Sequence, residues 1–335
     1  MSEAAIPAGG PGRPTLRGHI RIARFDHWVK NFFVLPGMLV ALTIDPARLH
    51  SMSVWRTVAG LLAVGLVASS NYVLNALLDA PFDRLHHARR NRPAAAGELN
   101  LPIAWIEWLA FFALGIAAGA CVSLAFVVNL GALWIMGLLY NVPPVRLKDI
   151  VYIDVLSEAL NNPIRFLAGW YLTGTAAMPI MSLLIAYWMA GCYFMAIKRY
   201  AEMRDIRTNG YLALYRKTYA SYTEQKLLVG ILFYGSLSML FFGEYMGRYR
   251  MEMVVAFPFV AAVMGVYFAL AFKPDSAAQR PELLIREPLL MAVIGACAVV
   301  IVLMLFVDLP WLHQTFRPTT PVRPSPARQS RSPHR

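Results

Sequence analysis

Three polar residues at regular spacing form the first group that could do chemistry. Asn75, Asp79 and Asp83 are four residues apart, so on a continuous helix their side chains line one face. Four arginines follow them, namely Arg84, Arg89, Arg90 and Arg92. Two carboxylates beside arginines can hold Mg²⁺ against a diphosphate while the arginines neutralise the remaining phosphate charge. The alternative is a solvated helix end with i,i+4 charge pairs, and Pro81 predicts a kink between the two aspartates.

A second group lies further along the chain, in an apolar segment. Asp154, Glu158, Asn161 and Arg165 are separated by four, three and four residues, which places them on one stripe of a helix. Arg165 bridging to Asp154 or Glu158 would give the stripe a purely structural role. Two acidic stripes, each near basic residues, are explained more economically by one binuclear site for a diphosphate. The sequence therefore predicts Mg²⁺ and a diphosphate-bearing ligand.

The composition indicates that helices in a lipid bilayer position these residues. Of the 335 residues, 58% are hydrophobic and 15% are charged, against roughly 45–50% apolar and about 25% charged in soluble domains. The formal net charge is +12, but the basic residues lie between long uncharged runs, so we expect no nucleic-acid partner. The three cysteines lie in apolar stretches and have no metal-ligand spacing.

Nine apolar segments approach the length of about 20 residues that a spanning helix needs. They are Phe32–Ile44, Val54–Leu78, Pro102–Cys121, Val122–Tyr140, Ile153–Leu172, Met178–Ile197, Leu227–Tyr245, Met253–Phe272 and Pro288–Leu309. The predicted fold class is all-α, a polytopic membrane protein with nine transmembrane helices. We expect the membrane domain at residues 21–312, between disordered tails at residues 1–20 and 313–335.

The distribution of lysine and arginine predicts a cytoplasmic N-terminus and an integral inner-membrane location. Most of the 31 basic residues then fall in cytoplasmic segments, whereas the outer loops hold Arg48, Arg56, Arg248 and Arg250. The arginines after residue 316 disagree, because nine spans place them outside. Late charges orient a chain less strongly than early ones, so the prediction is retained.

These motifs resemble the UbiA superfamily of intramembrane prenyltransferases. The N-D-x-x-D-x-x-x-D motif of that family is matched from Asn75 to Asp83, with Ala76 in place of an aspartate, and is followed by an R-x-R-P element at Arg90–Pro93. The second motif, D-x-x-x-D, is matched by Asp154 and Glu158, and a Y-x-x-P-P-x-R-L-K element precedes it at Tyr140–Lys148. The resemblance covers nearly the whole chain except its tails. It implies a nine-helix bundle around a lipid-open cavity.

A narrower resemblance is to the decaprenyl-phosphate phosphoribosyltransferases. Arg24–Asn31 is similar to their R-x-x-Q-W-V-K-N signature, and Lys198–Glu202 is similar to their K-R-x-x-E element. Two other elements, the P-P-x-R-L-K run and Asn161–Pro163, are more similar to other branches. The branch therefore stays open at this point.

The two resemblances imply the site residues and the reaction. The implied catalytic residues are Asp79, Asp83, Asp154 and Glu158, which with Asn75 are also the implied Mg²⁺ ligands. The implied substrate-binding residues are Lys30, Asn75, Arg92, Lys148, Arg165, Lys198 and Arg199. We expect phosphoribose transfer from phosphoribosyl diphosphate to a polyprenyl phosphate. The alternatives are prenyl transfer to an aromatic or quinone-precursor acceptor, a transporter, and a relative inactivated by Ala76. Oligomeric state is left open.

Overall fold

The structure, a computed structural model, describes residues 13–84, 89–175, 177–209, 217–273, 276–279 and 281–316. Within these ranges every regular element is an α-helix or a 3₁₀ helix. The α-helices are α1 Leu16–Ile22, α2 Leu35–Ile44, α3 Arg48–Ser51, α4 Val54–Arg84, α5 Pro93–Ala96, α6 Leu101–Ala120, α7 Leu124–Asn141, α8 Ile153–Ala159, α9 Asn161–Leu172, α10 Met181–Asn209, α11 Glu224–Arg248, α12 Phe257–Leu270, α13 Pro288–Phe306 and α14 Pro310–Thr315. The prediction of an all-α chain is confirmed for the described residues.

Seven runs in the described part of the chain are long and apolar enough to cross a membrane, which is two fewer than the nine predicted spans. The predicted fifth span is divided at Leu160 into α8 and α9. The predicted eighth span contains only the 14 residues of α12. At 1.5 Å per residue, α12 is roughly 21 Å long, whereas the hydrocarbon core is about 30 Å thick.

Helices are present on both sides of the predicted boundaries of the membrane domain, which stay a prediction. Helix α1 begins at Leu16, where the Thr15 hydroxyl accepts a hydrogen bond from the Gly18 N–H, so the ordered chain starts before residue 21. Helix α14 ends at Thr315, beyond the predicted boundary at residue 312. The rest of the two predicted tails, residues 1–12 and 317–335, lies outside the described residues.

Gly37 of α2 and Gly169 of α9 allow a close backbone approach, which sets the position of α9, the helix that contains Arg165. A Cβ atom on Gly169 would lie 1.9 Å from the carbonyl oxygen of Val34, and one on Gly37 would lie 1.8 Å from that of Phe166. Only glycine permits this approach, because any side chain would collide with backbone that cannot move independently. Elsewhere α4 packs on α6 and α7, and α10 packs on α11.

We expect Gly169→Ala to destabilise the protein by about 1–3 kcal/mol, the usual range for inserting a methyl group into a tightly packed contact. Thermal unfolding in detergent measures the effect. Gly243→Ala in α11 is the matched control, because its Cβ would meet nothing within 4 Å. Equal unfolding temperatures for the two variants would contradict the backbone contact.

Candidate active site

One cluster forms where the second half of α4 meets the segment after α7. The Lys148 Nζ atom lies 2.6 Å from Asp79 Oδ1, 2.8 Å from Asn141 Oδ1 and 3.3 Å from Asn75 Oδ1. Asn75 and Asp79 are one turn apart in α4, and Asn141 is the last residue of α7. Lys148 belongs to a 3₁₀ turn, Leu147–Asp149, and is 3% exposed. Three side-chain oxygens thus surround one buried ammonium group.

Arg146 adds a second cation to this cluster. Its Nη2 atom lies 3.0 Å from Asp79 Oδ1, and its Nε atom lies 3.1 Å from Asp149 Oδ2. The backbone of Arg146 has φ of 31°, and Tyr152 has φ of 66°. Non-glycine residues rarely adopt these conformations, which cost of order 1–3 kcal/mol and concentrate at functional sites. The strained segment places Arg146 and Lys148 on the same carboxylate.

Asp83 does not join the other two members of its motif. Its Oδ2 atom lies 2.9 Å from Nη1 of Arg92, and the residue is 4% exposed. Helix α4 continues through Pro81 to Arg84, yet each step of four residues turns the side chain by about 40°. Asp83 is therefore about 80° around the helix from Asn75, where it contacts the segment that begins α5.

A second cluster surrounds Arg199 of α10. Its Nε atom lies 3.2 Å from Asp154 Oδ2, its Nη2 atom lies 2.6 Å from Glu158 Oε2, and its Nη1 atom lies 3.0 Å from Glu202 Oε2. Arg199 is 2% exposed and Asp154 is fully buried. The fork of a guanidinium group suits such multiple contacts. Arg199 therefore neutralises acidic side chains of α8 and α10 together.

Tyrosines from the segment between α10 and α11 close this cluster. The Tyr222 hydroxyl donates to Asp154 Oδ1 at 2.6 Å and accepts the N–H of Tyr152 at 2.8 Å. The Tyr219 hydroxyl donates to Glu202. Burial, reinforced by the Asp154 charge, raises the pKa of Tyr222 far above its usual value. Tyr222 therefore remains a hydrogen-bond donor throughout the physiological pH range.

Tyr140 connects the two clusters. Its hydroxyl donates to Glu158 Oε2 at 2.8 Å, and its ring centroid lies 6.0 Å from the Lys148 Nζ atom. The two acidic motifs, far apart in sequence, are therefore brought side by side. That both motifs serve one site stays a prediction.

Two predicted cations, Lys30 and Arg165, lack a carboxylate partner at ion-pair distance among the residues that the structure describes. The Lys30 Nζ atom lies 5.9 Å from the Tyr72 ring, and its charge repels that of Lys198 in α10. Arg165 is 7% exposed, and its Nε atom is buried with no hydrogen-bond partner. The Tyr187 hydroxyl, which lies within electrostatic range of Arg165, is likewise buried and unpartnered. A buried cation without a counter-ion is costly, so Arg165 favours an anionic ligand.

The predicted metal ligands fit a divalent cation unequally. Within the described ranges, no three His, Cys, Asp or Glu side chains are arranged to hold a metal ion. The reason is that lysine and arginine side chains lie between the predicted ligands. The side-chain oxygens of Asn75, Asp79 and Asn141 converge on the Lys148 ammonium, and the position of that cation would also suit a metal ion. In contrast, both carboxylate oxygens of Asp154 are engaged by Arg199 and Tyr222.

Several residues of the site were not identified from the sequence. Arg146 and Tyr140 lie within the Y-x-x-P-P-x-R-L-K element, and Glu202 lies within K-R-x-x-E, so those motifs could have indicated them. Tyr222 lies in a Tyr-Thr-Glu run, residues 222–224, that is also similar to the phosphoribosyltransferases, whereas Tyr219 and Asn141 have no comparable signal. Their contacts depend on where α7 ends and on how residues 217–223 pack.

We expect Arg199→Met to destabilise the protein by about 3–5 kcal/mol, because it leaves buried carboxylates without their cation. Glu202→Gln in the same chain is expected to restore part of the loss by removing one negative charge. Thermal unfolding in detergent measures both effects. Arg248→Met is the matched control, since Arg248 pairs with Glu244 at an exposed position and such pairs contribute about 0–1 kcal/mol. Unchanged unfolding of Arg199→Met would contradict the assigned role.

Known proteins are similar to this chain in sequence and in fold. The profile of the UbiA prenyltransferase family matches residues 31–287. The chain is 30% identical over 232 residues to a decaprenyl-phosphate phosphoribosyltransferase of Mycolicibacterium smegmatis, covering 68% of this chain and 69% of the relative. It is 29% identical to the protein of that name from Mycobacterium tuberculosis H37Rv, covering 68% and 72%.

The fold resembles that of a UbiA homolog from Archaeoglobus fulgidus solved with GPP and Mg²⁺. The TM-score is 0.65 at 23% identity, covering 86% of this chain and 98% of the other. The long apolar helices and the family match together indicate a multi-pass membrane protein, and the transporter alternative is set aside. The chain belongs to the UbiA prenyltransferase family and is a transferase.

Proposed function

We propose that this protein transfers 5-phosphoribose from phosphoribosyl diphosphate to a polyprenyl phosphate, with release of diphosphate. The observation that supports the proposal is the group of cations beside the two acidic clusters: Lys30 and Arg165 have no carboxylate at ion-pair distance among the described residues, and Lys198 lies within electrostatic range of Glu158 and Glu202. The relatives described as decaprenyl-phosphate phosphoribosyltransferases support the same substrates.

The number of phosphate groups distinguishes this reaction from aromatic prenylation. A prenyl donor brings one diphosphate, and its aromatic acceptor needs no phosphate. Phosphoribosyl transfer brings a diphosphate, a 5-phosphate and an acceptor phosphate to one site. Arg146 and Lys148 suit the diphosphate because they already lie on Asp79. Lys30, Arg165 and Lys198 then suit the remaining phosphates.

Proton transfer also favours a phosphate acceptor. The phosphate oxygen that attacks C1 of the ribose is already ionised near neutral pH, so no base has to remove a proton. An aromatic ring carbon, in contrast, loses a proton after it is prenylated. The carboxylates of both clusters are engaged by arginine, lysine or tyrosine. The site therefore suits binding and charge stabilisation better than proton abstraction.

In the proposed mechanism the C1–O bond to diphosphate breaks as a phosphate oxygen of the acceptor bonds to C1. Asn75 and Asp79 would hold Mg²⁺. Asp83 is paired with Arg92, and Asp154 and Glu158 are paired with Arg199, so these three carboxylates would join the ligand set only by exchanging those partners. Bound Mg²⁺ supplies positive charge that stabilises the departing diphosphate. Arg146 and Lys148 neutralise the same leaving group, and Arg92 lies beside it on Asp83. Arg199 fixes the carboxylates of the second motif.

The proposal includes the placement of the site in the membrane. Nine membrane-crossing segments would surround a cavity that opens to lipid, and the polyprenyl chain would lie there among apolar side chains. The polar mouth would face the cytoplasm, where the phosphoribosyl donor is soluble. The charged acceptor phosphate would then lie at the boundary between lipid and water, where a charge costs less than in the hydrocarbon core.

Prenyl transfer is the second candidate function. It is favoured by the fold neighbours from Archaeoglobus fulgidus, which are solved with the prenyl diphosphates GPP and DMAPP together with Mg²⁺. Purified protein with radiolabelled phosphoribosyl diphosphate and polyprenyl phosphate is therefore compared with protein given GPP and an aromatic acceptor. Labelled lipid in the first reaction, lost on adding EDTA, is the expected result. Product from the prenyl pair alone would overturn the first proposal.

We expect Lys198→Met to raise the KM for polyprenyl phosphate about tenfold or more, since a charge-assisted contact contributes about 1.5–3 kcal/mol. The KM for phosphoribosyl diphosphate should change much less. Initial rates at varied acceptor and donor concentrations measure the two constants. Lys273→Met is the control, because Lys273 pairs with Glu287 at an exposed position. Equal changes in both KM values would contradict an acceptor-phosphate role.

We also expect Asp79→Asn and Asp154→Asn each to reduce kcat at least about 100-fold, comparable with the loss of one preorganised charge-stabilising group. Single-turnover label transfer measures the chemical step. Full activity of either variant would contradict a role for that motif in the reaction.

A further inference from the structure

Lys148 occupies the position that a metal ion would take among the oxygens of the first cluster. Its ammonium group has three hydrogens, and three oxygens accept from it at 2.6, 2.8 and 3.3 Å. These oxygens belong to Asp79, Asn141 and Asn75, and we call the three residues the oxygen cradle. Carboxylate and amide oxygens are also the ligands of hard divalent cations. An ammonium and a metal ion cannot fill the same cradle together.

The charges around the cradle oppose the binding of a metal ion by itself. The cradle contains a single carboxylate, Asp79, and two cations already lie on it, Lys148 at 2.6 Å and Arg146 at 3.0 Å. The side chain of Lys148 is 4% exposed, so water screens these charges poorly. A divalent cation entering alone would meet two positive groups. One entering with a diphosphate brings the negative charge that both groups can bind.

We propose that Lys148 is a tethered cation that closes the oxygen cradle to free divalent metal ions. When metal and diphosphate arrive together, the Lys148 ammonium leaves the cradle for diphosphate oxygens, and the metal ion replaces it on Asn75, Asp79 and Asn141. No covalent bond changes in this exchange. It assigns Asn141, which belongs to neither acidic motif, as a metal ligand.

The chain around Lys148 suits such an exchange. Lysine has a flexible four-carbon stem and binds phosphate as a point charge, so its ammonium can change partners without a change of backbone. Arg146 lies on the same carboxylate and can remain there when Lys148 leaves. Metal and diphosphate should then bind cooperatively, each raising the affinity for the other by the same factor.

This inference rests on the proposed function only for the presence of a diphosphate in the donor. Its test therefore uses inorganic diphosphate and needs no catalysis. Manganese replaces magnesium because free Mn²⁺ is counted directly by electron paramagnetic resonance. Purified full-length protein in detergent is titrated with Mn²⁺, with and without diphosphate, against protein-free blanks that correct for the Mn²⁺–diphosphate complex.

Without diphosphate, Lys148→Met should bind Mn²⁺ about tenfold or more tightly than the wild type, the scale on which groups surrounding a metal site alter its affinity. Lys148→Arg keeps the charge and should bind weakly, as the wild type does. Asn141→Leu added to Lys148→Met should reverse the gain. Lys273→Met is the control for loss of a lysine elsewhere, and its Mn²⁺ affinity should be that of the wild type.

Equal Mn²⁺ affinities of Lys148→Met and the wild type would overturn the proposal. Should Lys148→Met fail to fold, the wild type alone decides: tighter Mn²⁺ binding with diphosphate supports the exchange, and equal binding overturns it. The outcome is separable from the proposed function. Cooperative binding in a protein that fails to label polyprenyl phosphate would leave the exchange standing and reject phosphoribosyl transfer. Label transfer without cooperative binding would reject the exchange and support phosphoribosyl transfer.

Discussion

Arg199 pairs with three acidic side chains, of which Asp154 and Glu202 are buried and would be costly as ions without a cation. Asp154 and Glu158 come from α8, Glu202 comes from α10, and the guanidinium contacts all three at 2.6–3.2 Å. Removing a carboxylate from water without a partner costs several kcal/mol, so the buried carboxylates persist as ions only with a cation. This constraint places α8 against α10. Asp154, which Arg199 holds in place, also accepts a hydrogen bond from the Tyr222 hydroxyl, and this bond holds the residues just before α11 against the cluster.

The same requirement for charge balance explains why the excess of basic residues is informative. Part of the +12 balance reflects residues in loops, which orient a membrane protein. The cations around the two acidic motifs fall into two classes. Arg146, Lys148 and Arg199 already neutralise carboxylates. Lys30 and Arg165 have no carboxylate at ion-pair distance among the described residues, and the phosphate groups of the proposed substrates would suit them as anions.

The sequence was sufficient to predict the class of fold, and the structure brings the two predicted motifs close together through Tyr140. Apolar runs of membrane length are a strong signal, and the acidic residues that interrupt them are costly enough to indicate function. Periodicity failed where local geometry intervened. The break at Leu160 divides the stripe of Asp154 and Glu158 from Arg165. Asp83 pairs with Arg92 because helical drift turns it away from Asp79. Asn141 could not be found, since its role depends on where α7 ends.

A site of this kind must bind highly charged substrates and still keep water from the reacting carbon. Fixed cations accomplish the first task, because dipoles and charges already in place need no rearrangement when the leaving group gains charge. They also create a difficulty, since an empty site of unpaired charges would be unstable in a low-dielectric surrounding. Pairing Asp79 and Asp149 with Lys148 and Arg146 resolves it, because two carboxylates balance two cations before a ligand binds. Under the proposed function, the donor diphosphate would exchange partners with charges already present, and closure of the site around the substrates would exclude competing hydrolysis.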